Sequence, residues 1–251
     1  MPRDVKITAD ERVGEIVDSV PHAARVFEVV GVDACCHRDR SLQDAAAAAK
    51  LRAEEVLDLL RRDAPMPEHR ALADPRTTPL VELTGFISGH FHPRTRRMLV
   101  ELTLLGGQAA SAHGGTKEDI WVLQDHITRL VRELVPHMRR EEQYLFPYID
   151  SLEREVGPDQ TFVVPLFGTV TYPLQQIHHD HAQDLALVAG VRELTHGFTP
   201  PDRACGPVRE LYRLFAQFGG ELEQHVRLEN DVLFVRAVDE ERRAVERART
   251  T

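Results

Sequence analysis

From residue 79 onward, apolar residues return every third or fourth position in four long stretches, roughly 79–105, 117–152, 172–196 and 205–239. That period follows one face of an α-helix, so the pattern predicts four long amphipathic helices. Glycine pairs at 106–107 and 114–115, Gly157-Pro158, and the run GFTPPD at 197–202 punctuate them. The segment TFVVPLF at 161–167 comes nearest to strand alternation and reads as loop or helix. Four such helices on short connections imply a bundle, an all-α architecture whose sites are built from side chains projecting inward from facing helices.

Ahead of these stretches the pattern changes. Pro65, Pro67 and Pro75, closed by Pro79, break any helical period and mark a linker. The expected organisation is a small helical module over 1–63, a Pro-rich linker over 64–78 and the bundle over 79–251. Within the module, Thr8-x-x-Glu11 has a capping-box pattern, Pro21 suits a helix's first turn and Gly31 suits a helix end. Ser41-x-x-Asp44 opens an Ala-rich run, which leaves DACCHRDR as the loop between helices.

Composition narrows the function. Hydrophobic residues make up 42% and charged residues 28%, the balance of a globular chain with a core. A net charge of −9, from 31 basic and 40 acidic residues, argues against a nucleic-acid surface, which needs cations to neutralise phosphates. No uncharged apolar run approaches membrane-spanning length, and the N-terminus lacks a signal-peptide core, so no membrane partner and a cytoplasmic location are expected. Three cysteines make no disulfide framework, and a bond between the adjacent Cys35 and Cys36 would be strained, which suits a reducing compartment. The 13 histidines are the unusual feature, and their spacing decides what they do.

His137 and Glu141 stand at i and i+4, as do His225 and Glu229, so each pair shares a helix face. Such a pair alone is weak evidence. The surroundings strengthen it: HMRREEQYLF at 137–146 and HVRLENDVLF at 225–234 agree in His, Arg, Glu, Leu and Phe, the mark of an internal duplication. A matching lone histidine is then expected on the preceding helix of each half. His92 precedes His137 by 45 residues and His179 precedes His225 by 46, and an antiparallel hairpin would bring each lone histidine level with its partner pair. His178 and His181 are neighbouring candidates, but the spacing selects His179; His90 and His181 are read as exposed or lining residues.

Four imidazoles and two carboxylates suit two non-haem irons, since both ligand types bind iron and carboxylates bridge a pair. Zinc, which favours a single tetrahedral set, fits less well. With both glutamates bridging and an oxo or hydroxo bridge added, about one octahedral position per iron stays open for a small molecule. The remaining apolar residues at helical spacing are assigned to the core, with Trp121 as a packing anchor.

The set His92, His137-x-x-x-Glu141-x-x-x-Leu-Phe-Pro147, His179 and His225-x-x-x-Glu229-Asn-Asp-Val-Leu-Phe, preceded by GVDACC, resembles the repair-of-iron-centres family of ScdA and YtfE type. The resemblance covers nearly the whole chain. It implies a hemerythrin-like di-iron bundle behind a small ScdA-type domain, and a role in restoring iron–sulfur clusters after nitrosative or oxidative damage. Iron supply or nitric oxide chemistry, including its reduction, would act at the open position. Damaged iron–sulfur proteins and nitric oxide or oxygen are the implied partners, and a hemerythrin-like oxygen or nitric oxide binding module is the alternative. It further implies roles beside the metals for Glu133 and His178, and iron or electron transfer by Cys35 and Cys36. The chain departs from the family in three places. His37 and Arg38 follow the cysteines where Gly-Gly is common, Pro93 follows His92 and should place that ligand at a kink, and Val235 replaces a proline.

Overall fold

The computed structural model describes residues 7–34, 37–49, 51–61, 72–113, 118–153 and 168–250. Cys35, Cys36, most of the linker and the TFVVPLF segment lie outside them. Among the described residues the structure is helical, with a single isolated β-bridge between Arg12 and Ser41.

Four short helices form the N-terminal module: α1 (Val13–Ser19), α2 (Ala23–Val30), α3 (Leu42–Ala48) and α4 (Ala53–Leu60). Ser41 caps α3 as its spacing predicts, accepting a bond from the Asp44 amide at 3.0 Å. Gly31 closes α2 in the left-handed region, at φ 65°. The Thr8 and Glu11 pattern makes a turn; α1 begins only after Arg12, whose amide donates to Glu15.

The first bundle helix runs as α5 (Leu80–Phe86), a π-turn (Ile87–Phe91) and α6 (His92–His113). The second is α7 (Glu118–Arg140), a π-turn (Glu141–Leu145) and α8 (Phe146–Leu152). The third is α9 (Thr171–Leu194), and the fourth is α10 (Gly206–Leu228), a π-turn (Glu229–Leu233) and α11 (Phe234–Thr250). These correspond to the four stretches of the apolar pattern, except that α6 runs through Gly106 and Gly107 to His113 and α11 continues to Thr250. α6 packs against α7 and α10, and α9 closes the ring against the same two helices. Immediately before His92, where a kink is expected, the helix takes a π-turn that ends at Phe91.

The apolar interior is in two parts. One contains Leu83, Ile87, Phe146, Ile149, Ile177, Leu233 and Phe234. The other contains Met98, Leu102, Leu134, Met138, Val188, Leu222 and Val226, and continues without a break into Phe27, Val30, Leu42 and Val56 of the module. The module therefore sits on the bundle, with α2 against α6 and α7 and α4 against α6. Two arginines fasten the seam: Arg97 donates to the Asp58 carbonyl at 2.8 Å, and Arg139 donates to the carbonyls of Val30 at 2.6 Å and Gly31 at 3.1 Å. Trp121, expected to anchor packing, is instead 55% exposed. No helix among the described residues is long and apolar enough to cross a membrane.

Candidate metal centre

Between the two apolar regions lies a polar layer. His92, His137, Glu141, His181, His225 and Glu229 are all buried there, on α6, α7, α9, α10 and the two π-turns that follow α7 and α10. Glu141 Oε2 lies 3.4 Å from His92 Nε2, and its Oε1 lies 3.2 Å from His137 Nε2. Glu229 repeats the arrangement: Oε1 is 3.0 Å from His225 Nε2 and Oε2 is 3.1 Å from His181 Nε2. Two groups of ligand atoms result, His92, His225, Glu141 and Glu229 in one, and His137, His181, Glu141 and Glu229 in the other. Within each group every ligand atom lies within 4.8 Å of the others. Each glutamate belongs to both groups.

Such a layer is costly unless something binds it. Buried polar atoms normally have hydrogen-bond partners. Here His92 Nε2, both Glu141 oxygens and Glu229 Oε2 have none among the described residues. His137 and His181 bring their Nε2 atoms to 3.1 Å of each other, a spacing two lone pairs do not adopt unless a proton or cation lies between them. The electrostatics point the same way. Burial alone would raise the Glu141 carboxyl, yet His137 and His92 hold it well below the usual range. Burial would depress the His137 imidazole, but Glu141 and Asp180 raise it well above its ordinary value. Without a metal, protonated imidazoles balance the carboxylates, a positive charge that a bound cation would replace.

The outer ring nitrogens are held in different ways. His92 Nδ1 meets Glu142 at 2.6 Å, and Arg96 donates to both Glu142 oxygens at 2.8 Å. His181 Nδ1 meets Asn230 Oδ1 at 2.9 Å. His137 Nδ1 lies 3.6 Å from Asp180, which also takes bonds from Arg140 and Gln176. His225 lies flat against Phe91, with ring centroids 5.0 Å apart.

The lone histidine of the third helix differs from the one its spacing selected. His179 is exposed and bonds Gln183 at 3.0 Å, whereas His181 is 2% exposed and stands in the cluster. Two residues along an α-helix amount to about 200° of rotation, so the two side chains leave opposite faces. The signal was present in the apolar phase: Leu174, Ile177, His181, Asp184, Val188 and Val191 form one buried stripe, and 179 falls outside it. His90, read as exposed or lining, is buried at 1%. Glu133 is half-buried and lines a cleft of about 250 Å³ with Pro136, Arg140, Asp180 and Gln183. His178 is exposed, meets the edge of Phe234 and stands in neither group of ligand atoms. Glu142, Asp180, Asn230 and the buried Asp184 were not anticipated, although Glu142 and Asn230 occupy the same position after each duplicated glutamate.

A family model for the hemerythrin HHE cation binding domain matches residues 90–237, and the ScdA_N model, a domain of unknown function, matches residues 9–64. A Pectobacterium carotovorum protein named iron-sulfur cluster repair protein YtfE is 31% identical over 91% of this chain and 97% of its own length. Relatives of the same name from Edwardsiella ictaluri and Escherichia coli are 34% and 31% identical over the same shares of each chain. A helical bundle, a duplicated His and Glu layer built for cations, and matches across both parts of the chain lead to one conclusion: this protein belongs to the hemerythrin HHE cation binding family and carries an N-terminal ScdA_N domain.

Proposed function

We propose that the chain holds two non-haem irons between Glu141 and Glu229, with His92 and His225 on one and His137 and His181 on the other, and that it restores iron–sulfur clusters damaged by nitrosative or oxidative stress. The observation that carries the metal reading is the span of each glutamate across imidazoles of both groups. Imidazole with carboxylate is a ligand set that iron accepts, and no thiolate stands in either group. Bound there, two irons with an oxo or hydroxo bridge would supply redox chemistry and binding of nitric oxide or oxygen.

The protein's own residues prepare the layer for this. Glu142 and Asn230 accept the Nδ1 protons of His92 and His181, which leaves the Nε2 lone pairs turned inward. Phe91, Phe146 and Phe234 stack on the rings of His225, His92 and His181 and exclude water from that side. The cleft beside Glu133 and Asp180 gives solvent an approach toward His137. Support for the repair role comes from the relatives named as iron-sulfur cluster repair proteins, which match across nearly their full length. Cys35 and Cys36 are assigned to iron or electron transfer with a client. His37, Arg38 and Arg40 follow them in the sequence, a basic run of the kind that favours a thiolate.

The test begins with iron quantification in anaerobically purified protein, where about two irons per chain are expected. The Glu141→Ala, Glu229→Ala double variant should lose both, because each carboxylate serves both positions. The same preparations are then incubated with an iron–sulfur enzyme inactivated by nitric oxide. Recovery of enzyme activity with wild type but not with the double variant is the expected result. An iron-loaded wild type that binds oxygen or nitric oxide reversibly yet restores no damaged enzyme would replace repair by gas binding.

A further inference from the structure

The duplication makes the two halves alike in their ligands and unlike in what supports them. In each half the residue directly after the bridging glutamate sits in the same π-turn and turns back to the lone histidine of its own hairpin. Glu142 follows Glu141 and meets His92; Asn230 follows Glu229 and meets His181. In an α-helix two successive side chains diverge by about 100°. The wider π-turn lets one residue enter the layer while the next reaches the ring behind it.

We propose that Glu142 and Asn230 are a duplicated pair of positioning residues which set unequal affinities at the two metal positions, a carboxylate supporting His92 and a neutral amide supporting His181. Both accept a proton from Nδ1 and fix the same tautomer. They differ in charge. A carboxylate acceptor makes the imidazole a stronger donor to a metal than an amide does. The bond to Glu142 is short at 2.6 Å, and Arg96 grips both carboxylate oxygens, so the acceptor cannot turn away. The bond to Asn230 is 2.9 Å and neutral. The other two imidazoles narrow the difference without removing it: His137 has the Asp180 carboxylate at 3.6 Å, beyond hydrogen-bond length and shared with Arg140, and His225 Nδ1 has no acceptor among the described residues. The position bounded by His92 and His225 therefore fills first.

This inference rests on the two-iron reading, and the experiment separates the two. Full-length protein stripped of metal is titrated anaerobically with ferrous iron against a competing chelator, for wild type, Glu142→Gln and Asn230→Asp, and ⁵⁷Fe Mössbauer spectra are recorded at one and two equivalents. Wild type should show two separated binding steps and one dominant quadrupole doublet at one equivalent. Glu142→Gln, which keeps the shape and removes the charge, should weaken the tighter step by tenfold or more and leave the other. Asn230→Asp should tighten the weaker step and give a mixture of doublets at one equivalent. Equal weakening of both steps by Glu142→Gln, or weaker binding in Asn230→Asp, would show that the pair only supports the fold and would overturn the inference with the metal centre intact. A wild type that takes up no iron would overturn both.

Discussion

Asp184 lies one helical turn beyond His181, is 1% exposed, and has no hydrogen-bond partner on either oxygen among the described residues. Burial pushes its carboxyl up from 3.8 to about 7, helped by Glu133 and Asp180 and opposed by His137 and His181. A carboxyl raised in the folded state favours folding while protonated. Its contribution is full below about pH 4 and is lost as the pH rises through about 7. At about 1.36 kcal/mol per pH unit, moving from 3.8 to about 7 corresponds to a ceiling of about 4 kcal/mol; relaxation and water entry lower it. Asp184→Asn removes the titration at nearly constant shape. The assay is urea unfolding of chelator-treated protein at pH 4, 6 and 8. Wild type should lose stability across that range more steeply than the variant, so that the variant's midpoint advantage grows toward pH 8 to about 1 M, taking a slope of about 3 kcal/mol per molar urea. The raised His92, His137 and His181 slope in the same direction but are common to both proteins. Identical pH dependence in the two would refute the argument.

Other consequences are as direct. His181→Ala should lose iron while His179→Ala keeps a full load, read by metal analysis of the purified variants. Gly31→Ala puts a methyl group at a φ of 65° and within 2.4 Å of Arg139 Nη2; it should cost about 1–2 kcal/mol by thermal unfolding, with Arg139→Ala recovering part of the loss. Glu241 accepts from Tyr148, Thr169 and the Val170 amide at the entry to α9, so Glu241→Ala should cost about 3 kcal/mol in the same measurement. Cys35→Ser, Cys36→Ser should leave iron content unchanged and slow the recovery of a nitric-oxide-damaged iron–sulfur enzyme.

The bundle was legible because its signal is redundant. Each long helix repeats its apolar period over many turns, and one atypical residue does not disturb the count. The paired His and Glu of the layer were legible for a related reason, since HMRREEQYLF and HVRLENDVLF report the same local geometry twice. The lone histidine of the third helix was not reached by spacing, because a hairpin's loop can absorb a residue or two without moving the layer. His181 precedes His225 by 44 residues where the first half has 45. Only the phase of the helix, fixed by Ile177 and Val188, distinguishes inward from outward there. Glu142 and Asn230 were hidden by the π-turns. A reader assuming 3.6 residues per turn sends them to solvent. Trp121 failed differently, since size alone does not bury a residue.

The division of the interior into two apolar regions has a consequence for how the molecule opens. A continuous core yields as one cooperative unit, whereas contiguous regions joined by few apolar contacts exchange their amides separately. Here the plane between Leu145 and Phe234 on one side and Met138 and Val226 on the other is filled by imidazoles and carboxylates. The helices run through that plane, but the side chains that meet there are polar, so a bound cation would tie the two ends together. Amide hydrogen exchange should show the end built on α5, α8 and α11 opening independently in metal-free protein. The larger end, continuous with the N-terminal module, should stay protected, and loading the layer should merge the two into a single slow class.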